Sequence, residues 1–146
     1  MPGRAVCILA AAAILLAACG RQPPEHPIVE AEGQQVRIAR SEVMDGEVHF
    51  YTFRHQGKRV NFLVRTDGEG RLQTHLDACY GCYRYRRGFF VEGEFLVCRA
   101  CRFEYALDDE MWDFRGAGAP LSIHSRLEGE ELIIDQEILE KAARYF

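Results

Sequence analysis

Two CxxC elements, Cys79-Tyr80-Gly81-Cys82 and Cys98-Arg99-Ala100-Cys101, separated by fifteen residues, constrain this chain more than any other feature. A CxxC turn folds its backbone into a knuckle that points both sulfurs at one place, and a second knuckle brought alongside completes a tetrahedral four-thiolate site. The intervening residues supply the means. Arg87–Val91 and Glu94–Val97 are β-rich runs joined at Glu92-Gly93, a hairpin turn that would fold the second pair back over the first.

Four thiolates suit more than one chemistry. Neither pair is followed by His, since Tyr83 and Arg102 stand there, which excludes covalent c-type haem. Two structural disulfides would suit an exported chain, but vicinal pairs close short loops and constrain little chain entropy. Thioredoxin-like redox chemistry places its CxxC at the start of a helix in a βαβ unit, and no such context surrounds these pairs. A metal centre held by Cys79, Cys82, Cys98 and Cys101 is therefore the expectation, with an iron–sulfur cluster, a single iron or zinc all compatible with four sulfurs.

The first eighteen residues read as a lipoprotein signal peptide: Arg4 provides the charge, Ala5–Ala18 the apolar run, and Leu16-Ala17-Ala18-Cys19 a lipobox. That run is shorter than the roughly twenty residues of a membrane span. Cleavage before Cys19, with lipid on its sulfur, would leave a domain anchored to a bacterial envelope membrane on the periplasmic side. Residues 19–35, with Pro23, Pro24 and Pro27, read as a tether. Residues 36–146 then form one four-cysteine domain, long enough for a core of its own. Loss of Arg4 with the leader leaves 17 basic against 22 acidic side chains, which suggests no nucleic-acid partner.

Alternation places strands at Val36–Ile38, Val48–His55, Arg59–Thr66 and Arg71–Leu76. The second should carry apolar matter on both faces. The third should be half-buried, with Val60, Phe62 and Val64 inward and Arg59, Asn61 and Arg65 outward. Beyond the cysteines an acidic turn is expected around Trp112 (Asp108, Asp109, Glu110, Asp113), then a Gly116–Pro120 loop. A hairpin of Leu121–Leu127 and Glu131–Ile134 follows, and a terminal helix capped by Asp135, with Glu137/Lys141 and Glu140/Arg144 pairs. The fold class is mainly β: a small antiparallel domain, Rieske-like or zinc-ribbon-like, with two CxxC knuckles and a short C-terminal helix.

Arg84, Arg86, Arg87, Arg99 and Arg102 crowd the cysteine segment of an otherwise acidic chain. Guanidinium groups near an anionic thiolate site would be favourable, although any one of them alone reads as a solvated loop residue. The same segment is rich in Tyr and Phe, which reads as domain core that could also shield a centre. His75 is the one histidine near enough to serve as a spare ligand, and on an alternating strand it reads as a polar-face residue. No nucleophile–base pair, phosphate-cradling loop or carboxylate pair is legible, so an enzyme acting on a small substrate is not indicated.

Residues Glu47–Tyr51, Arg59–Val64, Leu76-Asp77-Ala78-Cys79-Tyr80-Gly81-Cys82-Tyr83, Arg87–Phe90 and Val97–Phe103 together resemble the FtrD-like membrane iron–sulfur protein family, with further likeness through Pro120-Leu121 and Glu128-Gly129 to Ala143–Phe146. The resemblance implies a cluster-binding domain found with iron permeases and concerned with electrons in iron uptake, with Cys79, Cys82, Cys98 and Cys101 at the family's cysteines. Two departures stand out: Gly118 occupies a place where such proteins often carry a fifth cysteine, and transmembrane helices common among relatives are replaced here by a lipid anchor. The layout is also similar to a Rieske domain, with Cys82 and Cys101 where Rieske proteins place His, which implies a lower potential. The expected function is thus a lipid-anchored electron carrier working with an iron permease or another redox protein. The alternative is a structural, zinc-ribbon-like interaction module.

Overall fold

A computed structural model of the chain describes residues 23–107 and 118–146. The expected signal peptide, the expected lipidation site Cys19 and the turn expected around Trp112 lie outside these residues.

Among the described residues twelve strands form three sheets, accompanied by one short α-helix, as the sequence leads one to expect of a mainly β domain. The central sheet contains β1 (Ile28–Val29), β4 (His49–His55), β5 (Lys58–Thr66), β6 (Leu72–Cys79) and β10 (Pro120–Ser122), in the order β1-β4-β5-β6-β10. The second runs β11-β12-β3-β2, from Arg126–Glu128, Glu131–Asp135, Gln35–Ala39 and Ala31–Glu32 respectively. The third is β7 (Phe89–Glu92), β8 (Phe95–Cys98) and β9 (Glu104–Ala106). Helix α1 (Gln136–Ala142) closes the chain, followed by a 3₁₀ turn at Ala143–Tyr145.

Alternation along the central strands explains the layering. Tyr51 and Phe53 of β4, Val60, Phe62 and Val64 of β5, and Leu76 and Ala78 of β6 point to one core. Val36, Ile38, Leu132 and Ile134 of the second sheet meet them there, with Leu139, Ala142 and Phe146 from the terminal helix and its end. Leu63 and Cys79, of opposite parity, point to a second core with Phe89, Leu96, Cys98 and Tyr105 of the third sheet. The central sheet is therefore covered on both faces. Each fully buried side chain of this size contributes about 1.5–3 kcal/mol through removal from water.

Tight turns hold the register. Gln56 and Gly57 have φ of 48° and 76°, the double left-handed conformation of a two-residue turn, and seat His55 opposite Lys58. Gly93, with φ of 60°, joins β7 to β8 and pairs Glu92 with Phe95.

Four expectations need correction. The segment from Pro23 to Gln35 is not a free tether. Its backbone is held by the central sheet: Asn61 Nδ2 donates to the Pro24 carbonyl at 2.6 Å, Arg59 to that of Pro23 at 3.1 Å, and the Thr52 N–H to that of Pro27 at 2.9 Å. β1 adds in parallel to β4 and β2 pairs with β3. For the same reason β5 is not half-buried: Asn61 is fully inaccessible beneath this strap, and Leu63 is inaccessible beneath the third sheet. The stretch Leu121–Leu127 is two strands rather than one, β10 pairing with β6 and β11 with β12. Finally, Asp135 precedes α1 with extended backbone, but its carboxylate accepts from Arg126 at 2.9 Å instead of capping the helix, and Glu140 takes Gln136 Nε2 at 2.7 Å while Arg144 turns to Tyr145.

Candidate metal centre

β6 runs into the first knuckle. Its parity turns Ala78 towards the first core and Asp77 and Cys79 towards the third sheet, so Cys79 arrives beneath β8 with 3% of its surface exposed. The chain then folds over: the Cys82 N–H donates to the Cys79 carbonyl at 3.0 Å, and Tyr85 and Arg86 N–H groups to Cys82 and Tyr83. The second knuckle leaves β8 the same way, with Arg102 N–H on the Cys98 carbonyl at 2.9 Å and Arg102 itself at φ of 62°. Phe89 lies opposite Cys98 across β7–β8, and Arg99 N–H donates to Gly88, tying the knuckle to the start of the hairpin.

The result is convergence. The Sγ atoms of Cys79, Cys82, Cys98 and Cys101 all lie within 4.8 Å of one another, and none is in a disulfide. A single ion with metal–sulfur bonds of about 2.3 Å would set its tetrahedral ligands roughly 3.8 Å apart, so small side-chain adjustments accommodate it. The donor set is pure thiolate, which suits iron, iron–sulfur clusters and zinc over harder cations. The residues present therefore fit a thiophilic metal centre. His75, the candidate spare ligand, is not in this group; it is buried on β6 opposite Leu63 rather than on a solvent face.

Burial and mutual contact set Cys79, Cys82 and Cys101 apart. Burial pushes the Cys79 thiol well up, with the neighbouring Cys98 adding to it. Burial and a hydrogen bond with Cys101 raise Cys82. At Cys101 the burial penalty is outweighed by hydrogen bonds from the Phe103 backbone N–H and the neighbouring thiols, which lower its pKa. Cys79 and Cys98 are covered, Cys82 is half-buried, and Cys101 is exposed, so the centre opens to solvent along the Cys82–Cys101 edge.

Beneath the sulfurs the shell is aromatic. Tyr105, buried, sits edge-on to Phe89 at 6.2 Å and against Phe103 at 5.0 Å between centroids. Burial, then the nearby thiolates, pushes its phenol far up and keeps it neutral. Tyr83 meets Tyr145 edge-on at 5.3 Å, bracing the first knuckle against the chain's end.

The arginines divide into two groups. Arg99 and Arg102 both lie over the Phe90 ring, at 4.8 and 5.1 Å, with Arg99 Nε on the Phe89 carbonyl and Arg102 paired to Glu92. Arg84 and Arg87 line a recess of about 690 Å³ with Gly81, Cys82, Tyr85, Ala100 and Cys101. Arg86, at φ of 51°, borders a small gap beside Cys79, Cys82 and Cys98.

Three supports were not legible in the sequence. The Asp77 carboxylate, fully covered, accepts from the Phe89 N–H and lies 3.2 Å from Nε2 of His26, whose ring stacks on Phe50. Gly88 has φ of 64°, and a Cβ there would lie 2.4 Å from Asp77 Oδ2, so the carboxylate fills the space that a side chain would need. β10 supplies the third: Pro120 lies opposite Cys79, the Ala119 carbonyl accepts from the Tyr80 N–H at 2.9 Å, and the Gly118 carbonyl accepts from the Cys79 thiol at 3.3 Å. A Cβ at position 118 would lie 2.8 Å from Tyr105 Oη, so a cysteine would not enter here without displacing that phenol. The one available signal was the Asp-Ala-Cys run, in which period-two alternation puts Asp77 beside Cys79.

Among the described residues no helix is long and apolar enough to cross a membrane. No curated protein matches the chain. The family model described as membrane iron-sulfur containing protein, FtrD-like, matches residues 43–146, which include all four clustered cysteines, and the chain belongs to that family.

Proposed function

We propose that Cys79, Cys82, Cys98 and Cys101 hold an iron–sulfur or iron–thiolate centre through which this protein passes single electrons, anchored by lipid on Cys19 at the periplasmic side of a bacterial envelope membrane and serving iron uptake beside a permease or another redox protein. The observation that carries the reading is the convergence of four Sγ atoms within 4.8 Å at the rim of the fold, two covered and two open. When bound, such a centre supplies a one-electron couple. The chain's own residues determine how that couple is used. The covered pair and the Tyr105–Phe89 shell keep water from one side, which strengthens the influence of local charge. Cys82 and Cys101 form the edge that an electron must cross. Arg84, Arg86 and Arg87 stabilise the added negative charge of the reduced state.

The test is metal and sulfide analysis of the full chain purified without oxygen, with absorption spectra and voltammetry. Iron–thiolate sites are coloured, and a reversible wave is expected. Replacing Arg84, Arg86 and Arg87 together with Gln should move that wave to lower potential at matched salt while the metal stays bound. A colourless, redox-silent protein that takes up zinc despite ample iron and sulfide would leave the structural module standing instead.

A further inference from the structure

Resting on the electron-carrier reading, we infer that the rim formed by Arg84 and Arg87 around the Cys82–Cys101 edge is the docking surface for an acidic electron-transfer protein. Among the described residues the exposed sulfurs lie along the Cys82–Cys101 edge, because Cys79 and Cys98 are covered by the central sheet and the β7–β8 hairpin. In that direction the surface is a recess of about 690 Å³, with Arg84, Tyr85 and Arg87 at its edge and Cys82 and Cys101 in its lining. Both arginines are exposed, and among the described residues neither forms an ion pair, whereas Arg102 is paired with Glu92. Two such cations at one edge contrast with a chain of net charge −4. That asymmetry would orient an approaching acidic surface with its face on the centre, the usual effect of charge complementarity on encounter. Tyr80 and Tyr85, exposed by 58% and 64%, provide the rigid aromatic area that desolvated contacts favour. The transfer is one electron from the reduced centre to the partner's acceptor, or the reverse; no bond forms or breaks, and a counterion balances the charge.

The experiment uses the reduced full chain in detergent, mixed rapidly with two c-type cytochromes of similar potential, one acidic and one basic. At low ionic strength the acidic cytochrome should be reduced about tenfold faster or more, and the ratio of rates should fall towards one as salt rises to about 0.5 M. Arg84→Gln with Arg87→Gln should collapse that ratio, and the corresponding double Lys variant should keep it, which separates charge from shape. Using the ratio removes any change in driving force caused by a shifted potential. Equal rates, or preference for the basic cytochrome, in a protein whose centre is reduced and reoxidised normally would overturn the docking proposal while leaving the carrier reading intact. A centre that takes up no electron would instead overturn the carrier reading, and the docking proposal with it.

Discussion

At the scale of single residues, the site depends on sulfurs that no neighbour can replace. Ser in place of Cys79, Cys82, Cys98 or Cys101 leaves three thiolates and an opening for water, so each variant should lose most of its bound metal, whereas His75→Ala should keep it. Metal analysis after gel filtration checks this, and full retention in any one variant removes that residue from the ligand set. Gly88 shows how closely the knuckle is fitted. An added methyl would both strain a φ of 64° and strike the Asp77 carboxylate, which accepts a hydrogen bond from the Phe89 N–H that a shift would weaken. Gly88→Ala should therefore destabilise the fold by about 2 kcal/mol or more in denaturant melts, beyond the range of ordinary surface changes.

Among the elements, the N-terminal strap contributes most to what the sequence concealed. Thr52 Oγ1 takes the His26 N–H and donates to Asn61 Oδ1, Asn61 donates to Pro24, and Glu25 pairs with both Arg54 and Arg59, so a Pro-rich segment without apolar period becomes part of the sheet. His26 extends that strap to the site by meeting Asp77. His26→Ala would leave a covered carboxylate oxygen without its partner and should cost about 1–3 kcal/mol in thermal or chemical melts, with His26→Gln recovering part of the loss through its amide donor. An Ala variant as stable as the wild type would show that the His26–Asp77 contact does not contribute to stability. A second prediction concerns the turn between β5 and β6. Burial acts to raise the Asp67 pKa, but hydrogen bonds from the Arg71 backbone and guanidinium and from the Glu69 N–H prevail and lower it from 3.8 to about 2. Its contribution to stability is present above the unfolded value and is lost as pH falls through about 2, so Asp67→Asn should flatten the stability–pH curve between about pH 4 and 2.

For the whole molecule, the question is how a domain without a spanning helix among its described residues belongs to a membrane family. Under the proposed lipidation of Cys19, Leu16-Ala17-Ala18-Cys19 would offer a route, and the strap held from Pro23 onward would keep the domain within a few residues of that anchor. Cys19→Ser should release the protein into the soluble envelope fraction, because the acyl chains supply the membrane affinity. Unchanged membrane fractionation would assign retention to a protein partner instead. Close tethering would also keep the Arg84–Arg87 rim near membrane-bound redox proteins, so release should lower the effective concentration of any such partner.

What the sequence determined by itself is what local spacing and period can carry. The two CxxC pairs and the Glu92-Gly93 turn were enough to place four sulfurs together, since both knuckles and the hairpin between them are local in the chain. Period-two alternation was enough for the mainly β class and for most of the central strands. It did not reveal that Leu121–Leu127 divides between two sheets or that Asn61 is buried, because each depends on a neighbour distant in the chain, nor that Asp135 gives its carboxylate to Arg126 across the β11–β12 hairpin rather than to the helix, because two local partners compete for it. Only the tertiary structure decided that Cys82 and Cys101 face outward while Cys79 and Cys98 are covered. All four are the same residue in the same motif, and the difference comes from which sheet lies above each of them.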